Sequence, residues 1–416
     1  MRKGSLRLAV VGGAIALGST AVTVVAPGAG AATSSTITIG YVADLSGVAA
    51  SSFVGAAGGA QARIDEQNAE GGVNGHKLKL VVEDDQSSPS GNLTASQDLV
   101  ENKGAFAVIN FSAFTFAAAK YLNQQGVPVV GYGLDGPEWG QQPNTNMFTL
   151  EPSTSTEFGT NYYTSTDEAK FIKSIGVTKM AGLAYGISPS SQQSVRDLFA
   201  AAGKIGISDC YSNYSVPFGS VDFTADVLQM KQAGCNGVIG SFVDSSDVGL
   251  SQALKNAGLT VPQLYFTGYD QTILGSPSAR QASNGDYYVA PFNYSHPNTA
   301  TKAMISALKK YDPTYAGGIP GLGLYGSYLS ADLMIFGLEH AGKNPTRTSF
   351  IANLRKVGSY NAGGILPAPT TFQHFGTPAM LGKTGCAYFA KLTGTTFTIV
   401  SGKVICGNYI KVPASS

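Results

Sequence analysis

The chain has 416 residues, room for two or three domains, with 27 basic and 26 acidic side chains. Charged residues make up 13% of it, about half the usual ~25%. That balance excludes the basic footprint of a nucleic-acid binder.

Arg2, Lys3 and Arg7 precede an uncharged apolar run, Leu8 to Ala26, and then Ala29-Gly30-Ala31-Ala32. Basic start, apolar middle and small-residue end predict a secretory signal over residues 1–32. An uncleaved anchor is the alternative, but Gly, Ser and Thr dilute a run that would need ~20 strongly apolar residues. No Cys stands near the expected cleavage site, so a lipid-modified N-terminus is not expected. Loss of three basic residues leaves a slightly acidic chain.

From Thr36 the pattern alternates. Strands are predicted at Thr36–Ala43, Lys77–Glu83, Phe106–Phe111, Val127–Tyr132 and Met147–Glu151, with helices at Phe53–Asn68, Leu93–Asn102 and Ala113–Gln124. The alternation restarts with a helix at Glu157–Ile175. Strands then follow at Met180–Tyr185, Tyr211–Val216, Gly237–Val243 and Gln263–Thr267, separated by helices at Ser191–Ala202, Phe223–Ala233 and Ser246–Ala257. Short, continuously apolar strands between helices belong to buried parallel sheets. Two such runs predict an α/β protein with two doubly wound lobes.

The last third differs. A strand at Tyr287–Phe292 precedes helices at Thr301–Tyr311, Gly323–Ala341 and Thr348–Lys356, and two strands surround Thr393-Gly394. Three helices cannot build a third parallel sheet. They are expected to cover the first lobe, with the closing hairpin joining the second. Residues 36–152 with 293–366 would then form one lobe, and 153–292 with 367–416 the other, so the hinge is crossed more than once.

Four cysteines in an exported chain suggest two disulfides. Cys386 and Cys406 flank the closing hairpin, and Cys210 and Cys235 begin neighbouring strands, so these pairings are preferred among three; four buried thiols are the alternative. No Cys-x-x-Cys or Cys–His spacing suggests zinc. No metal or other cofactor is expected. The four histidines lack H-E-x-x-H spacing, and no G-x-S-x-G elbow occurs, so no catalytic set is assigned and an exported α/β hydrolase is the weaker rival. Gly321-Leu-Gly-Leu-Tyr-Gly326 matches G-x-G-x-x-G but opens no βα turn; close helix packing explains it. Glu83-Asp84-Asp85 is read as a solvated strand end rather than a metal clamp.

Open parallel sheets bind ligands beyond the carboxyl ends of their strands. Ser112 and Thr115 follow the third strand at a helix N-terminus, which suits a carboxylate. Gly133 and Asp135 follow the fourth. Tyr185, Phe242, Asp244 and Asp270 follow strands of the second lobe. The set suits a small zwitterion, with carboxylate on Ser112 and Thr115, ammonium on Asp135 or Asp270, and an apolar tail on aromatics. Each has a plainer role: helix cap for Ser112, Thr115 and Asp270, loop residue for Asp135, core for Phe242.

The stretch Gly71-Gly-Val-Asn-Gly-His-Lys-Leu-Lys-Leu-Val-Val-Glu-Asp-Asp85 resembles the G-G-I-x-G-x-x-[IL]-x-[IL]-x-x-x-D-D segment of type I periplasmic binding proteins, most like the leucine/isoleucine/valine-binding branch. Asp44-Leu-Ser-Gly47, Gly126–Pro137 and Gly268-Tyr-Asp270 are further anchors, and the resemblance runs from Thr36 to the closing hairpin. It implies two α/β lobes joined by three crossovers, in a monomer that closes on an amino acid and delivers it to an ABC importer permease. Ser112 and Thr115 would hold the carboxylate, Gly133 and Asp135 the next loop, and Asp270 the ammonium. Asp135 departs from the family's usual hydroxyl. The pocket aromatic falls on Phe53 or Ser52, and Phe242 or Val243 replaces a tyrosine. A ligand sensor, or a binder of an amide, urea or aromatic acid, remains open on the same fold.

Overall fold

Strand β1 (Thr36–Ala43) opens a sheet whose apolar strands are covered on both faces. The computed structural model describes residues 35–133, 136–150, 156–158, 161–381 and 384–412; the expected signal segment and Asp135 lie outside them. After β1 come α1 (Ala56–Ala69), β2 (Lys77–Asp84), α2 (Pro89–Glu101), β3 (Ala107–Phe111), α3 (Phe116–Gln124), β4 (Val129–Gly131) and β5 (Met147–Thr149). The five strands pair in parallel, in the order β2-β1-β3-β4-β5. Ile39, Val42, Val108, Ile109, Val129 and Val130 are wholly buried, as burial of both sheet faces requires. Local chemistry starts the helices: Ser88 accepts from the Gly91 N–H at 3.0 Å, with Pro89 at the first helical position.

The glycine turn before β2 is built by backbone demands. Val73 and His76 exchange main-chain bonds of 2.8 and 2.9 Å, and Asn74 and Gly75 take φ of 52° and 89°. A Cβ on Gly72 would stand 2.0 Å from the His76 carbonyl oxygen, so only glycine fits. Of the acids that end β2, Glu83 and Asp84 are partly exposed, as a solvated strand end would be, but Asp85 is not. Asp84 accepts from the Leu45 and Ser46 N–H groups. Asp85 is completely buried, with hydrogen-bond donors supplied by Ser87 of its own loop, Asn92 of α2 and Ser112 after β3.

The second half contains β6 (Thr156–Phe158), β7 (Asn161–Ser165), α4 (Asp167–Ser174), β8 (Lys179–Tyr185), α5 (Pro189–Lys204), β9 (Ser208–Val216), α6 (Thr224–Ala233) and β10 (Gly237–Ser241). Then follow α7 (Asp244–Asn256), β11 (Gln263–Tyr265), α8 (Gln271–Gly275), α9 (Pro277–Ser283) and β12 (Tyr287–Ala290). The chain next makes α10 (Thr299–Tyr311), α11 (Leu322–Ala341) and α12 (Arg347–Leu354), before β13 (Thr384–Thr393), β14 (Thr396–Ile399) and β15 (Ile405–Val412). The second sheet runs β6-β7-β15-β13-β12-β11-β10-β8-β9, with β14 on β13. Its β9-to-β12 portion is parallel; the remainder is antiparallel.

That antiparallel flank corrects two expectations. The helix predicted at Glu157–Ile175 is in its described part a hairpin, β6–β7, followed by the shorter α4. Asn161–Ser165 is rich in aromatic and β-branched residues and pairs with β15, Tyr409 opposite Ser165. The closing hairpin is three strands, because Cys386 on β13 stands opposite Cys406 on β15. The structure joins Cys386 to Cys406 and Cys210 to Cys235.

Helices α10 to α12 return to the first sheet. A Cβ on Gly59 of α1 would lie 2.2 Å from the Leu324 carbonyl oxygen of α11. Tyr41 and Ser327 hydroxyls meet at 2.6 Å. In the 321–326 glycine motif, a Cβ on Gly323 would meet the Val54 carbonyl oxygen at 2.5 Å and one on Gly326 the Phe111 ring at 2.6 Å. Close packing is therefore the motif's structural role. Among the described residues no helix is long and apolar enough to cross a membrane.

Candidate ligand site

A cavity of about 250 Å³ lies where the two sheets' strand ends face each other. From the first lobe, Ser52 and Phe53 precede α1, Ala113 and Phe114 follow β3, and Tyr132 and Gly133 follow β4. From the second, Tyr185 ends β8, Phe242 and Val243 follow β10, and Thr267 follows β11. Leu322 and Tyr325 of α11 close one side. A parallel sheet sends every strand end to the same edge, which is why distant segments meet here.

The wall is largely aromatic. Phe53 meets Phe111 edge-on at 5.4 Å, and Tyr132 meets Tyr325 at 5.8 Å. Phe218 bridges the lobes, 5.3 Å from Phe114 and 4.8 Å from Tyr185. Tyr185 lies 4.6 Å from Phe242 and donates to Ser246 Oγ at 2.7 Å. Burial pushes its phenol up to about 12, so it stays a neutral donor. The far end of the cavity is lined with hydroxyls at the start of α5, among them Ser190 and Ser194, beside Cys386.

Of the site residues expected from sequence, Phe53, Gly133, Tyr185 and Phe242 lie on this wall. Ser112 and Thr115 do not. Ser112 Oγ donates to Asp85 and accepts from the Phe114 N–H at 2.9 Å. Thr115 Oγ1 donates to Asn110 Oδ1 at 2.7 Å. Asp270 caps α8, taking the Thr272 and Ile273 N–H groups at 2.7 and 3.0 Å, and its Oδ2 sits where a Gly321 Cβ would come within 2.8 Å.

Asp244, named from sequence after a second-lobe strand but given no role there, begins α7 and lies behind the cavity-lining residues Ser52, Val243 and Thr267. Its Oδ1 accepts from Ser52 Oγ at 3.0 Å, across the cleft, and from Thr267 Oγ1. Its N–H donates back to Ser52 Oγ at 3.0 Å. Oδ2 is buried with no hydrogen-bond partner. Burial first, and the Asp270 carboxylate second, push Asp244 up to about 7. Asp244 thus stands directly behind Ser52, Val243 and Thr267 of the cavity wall, where burial beside Asp270 favours its protonated form.

Comparison with known proteins agrees with this architecture. The sequence profile of the family described as periplasmic binding protein matches residues 36–401. A Leu/Ile/Val-binding protein homolog 3 of Brucella melitensis is 26% identical over 311 residues, 74% of this chain and 79% of the relative. A Leu/Ile/Val-binding protein homolog 1 of the same species is 25% identical over 182 residues, 43% of this chain and 46% of that protein. A branched-chain amino acid ABC transporter protein from Thermus thermophilus, with bound valine, superposes with TM-score 0.72 at 16% identity, covering 88% of this chain and 96% of its own. A fatty acid ABC transporter substrate-binding protein from Thermomonospora curvata superposes with TM-score 0.70 at 19% identity, covering 88% and 91%.

Proposed function

The chain belongs to the periplasmic binding protein family, and from that premise we propose that it captures a small amino-acid-like ligand with an apolar body between its lobes. Delivery to an ABC importer follows from the same reading. The observation that carries it is the cavity at the facing strand ends, lined by Phe53, Tyr132, Tyr185 and Phe242. Capture proceeds by hinge closure: the apolar body settles on the aromatics, and Ser52 of the first lobe meets Asp244 of the second. Names of relatives that bind leucine, isoleucine or valine support this ligand size. Export by the N-terminal segment and two disulfides belong to the same proposal. A thiol titration of the unreduced, denatured protein should then find no free cysteine; four would remove that part.

Thermal unfolding against leucine, isoleucine, valine, phenylalanine and their amine relatives tests the reading. A ligand at ~100 times its dissociation constant adds about 2.7 kcal/mol, a shift of several degrees. No shift with any of them would overturn it.

A further inference from the structure

Resting on that reading of the cavity, we propose that the ligand's polar head docks on the second lobe, its ammonium on Glu168 and its carboxylate on the serine hydroxyls of α5 and β10, while its apolar body points at the first lobe. The lining is uneven. The first lobe brings mainly rings and aliphatic groups, Phe53, Phe114, Tyr132, Leu322 and Tyr325 among them. The second brings Glu168 of α4, Ser188, Ser190, Ser191 and Ser194 at the start of α5, and Ser241 of β10. Helix residues three and four apart share a face, so Ser194 stands in line with Ser190 and Ser191.

Hydrogen-bond bookkeeping points the same way. At the first-lobe wall the Ala113 N–H donates to Asp44 Oδ2 at 2.9 Å, the Phe114 N–H to Ser112 Oγ at 2.9 Å, and Ser52 Oγ to Asp244 Oδ1 at 3.0 Å. At the α5 end, Ser188 Oγ accepts from the Ser191 N–H at 3.2 Å, and Ser191 Oγ donates to the Ser241 carbonyl oxygen at 2.6 Å. Ser190 Oγ shares one bond of 3.0 Å with Ser188 Oγ. The hydroxyls of Ser194 and Ser241 have no hydrogen-bond partner among the described residues, so they can donate to a ligand oxygen. Glu168 is the one carboxylate among the described lining residues, and no Lys, Arg or His is there. The two oxygens of a carboxylate offer about four acceptor sites, so Glu168 can take an ammonium beside its protein contacts. A ligand bearing a carboxylate alone would bury it beside that acid with no counter-charge; one that carries its own ammonium would not. Size fits as well. A cavity of about 150 Å³ holds benzene, so about 250 Å³ admits a ring or branched chain with such a head.

Titration calorimetry on the purified protein tests this with leucine, isoamylamine and isocaproate, and with phenylalanine, phenethylamine and hydrocinnamate. Each set keeps the body and removes one half of the head. The amino acid should bind at least tenfold more tightly than its amine and its acid. Glu168→Gln should weaken the amino acid about 30-fold or more while sparing the acid, and Ser194→Ala should weaken the amino acid about tenfold. An amine or acid that binds as tightly as its amino acid would overturn the inference and leave the proposed function standing. So would Glu168→Gln and Ser194→Ala proteins that fold, by their unfolding transitions, and bind the amino acid unchanged. Failure of every compound would overturn both. If Glu168→Gln does not fold, Ser194→Ala and the three-compound comparison on the unsubstituted protein decide.

Discussion

Asp85 gathers three donors: the Ser87 N–H at 3.0 Å from its own loop, Asn92 Nδ2 at 3.0 Å from α2, and the Ser112 hydroxyl after β3. Removing the acceptor strands all three in the interior, so Asp85→Ala should destabilise the protein by about 1–3 kcal/mol, measured by denaturant unfolding. An unchanged midpoint would mean that the network is dispensable. The same residue shows what the sequence could and could not reveal. Gly133, Tyr185 and Phe242 were found because each follows a parallel strand, a position that fixes which edge it occupies. The direction of the Ser112 hydroxyl was not readable, since it depends on an acid brought in by a different strand. Asp244 was in plain view after β10, but its partner Ser52 lies 192 positions away.

At the scale of elements, glycines decide how closely helices approach. Gly59 of α1 faces the main chain of α11 with no room for a methyl group. Main chain cannot swing aside as a side chain can, so Gly59→Ala should cost about 1–3 kcal/mol through overpacking, despite alanine's better helix propensity. A stabilised variant, read from the same unfolding experiment, would show that α1 and α11 can slide apart freely. Periodicity found the parallel strands and their helices because each unit carries its own pattern. It failed at β6, β7 and β15. Strands β7 and β15 are held by pairing between the middle and the end of the chain, Tyr409 to Ser165, and a short polar, aromatic run carries no signal of so distant a partner. The Leu322–Ala341 helix was legible from its apolar content alone, whereas its position over the first sheet rested on the argument that three successive helices cannot extend a parallel sheet.

Across the whole molecule, buried acids set the response to pH. Burial pushes Asp197 up to about 8 and Asp286 up to about 7, and burial with the Asp270 charge pushes Asp244 up to about 7. In the unfolded chain such groups lose their protons near pH 4. Between these values the folded protein holds more protons than the unfolded chain, so stability falls as pH rises from about 4 to about 8. The thermal midpoint of the ligand-free protein should therefore be higher at pH 5 than at pH 8; a midpoint that rises over this window would contradict the burial of these carboxylates. The same scale holds the central functional claim, that a ligand is captured by two lobes closing on it. Small-angle X-ray scattering of the protein with and without a saturating ligand from the amine and amino-acid series tests it most directly. For a compact chain of this length the radius of gyration is about 21 Å. Capture predicts that the ligand-free protein is more extended than this and that binding contracts it. Saturation with no change in the radius would contradict closure as the means of capture.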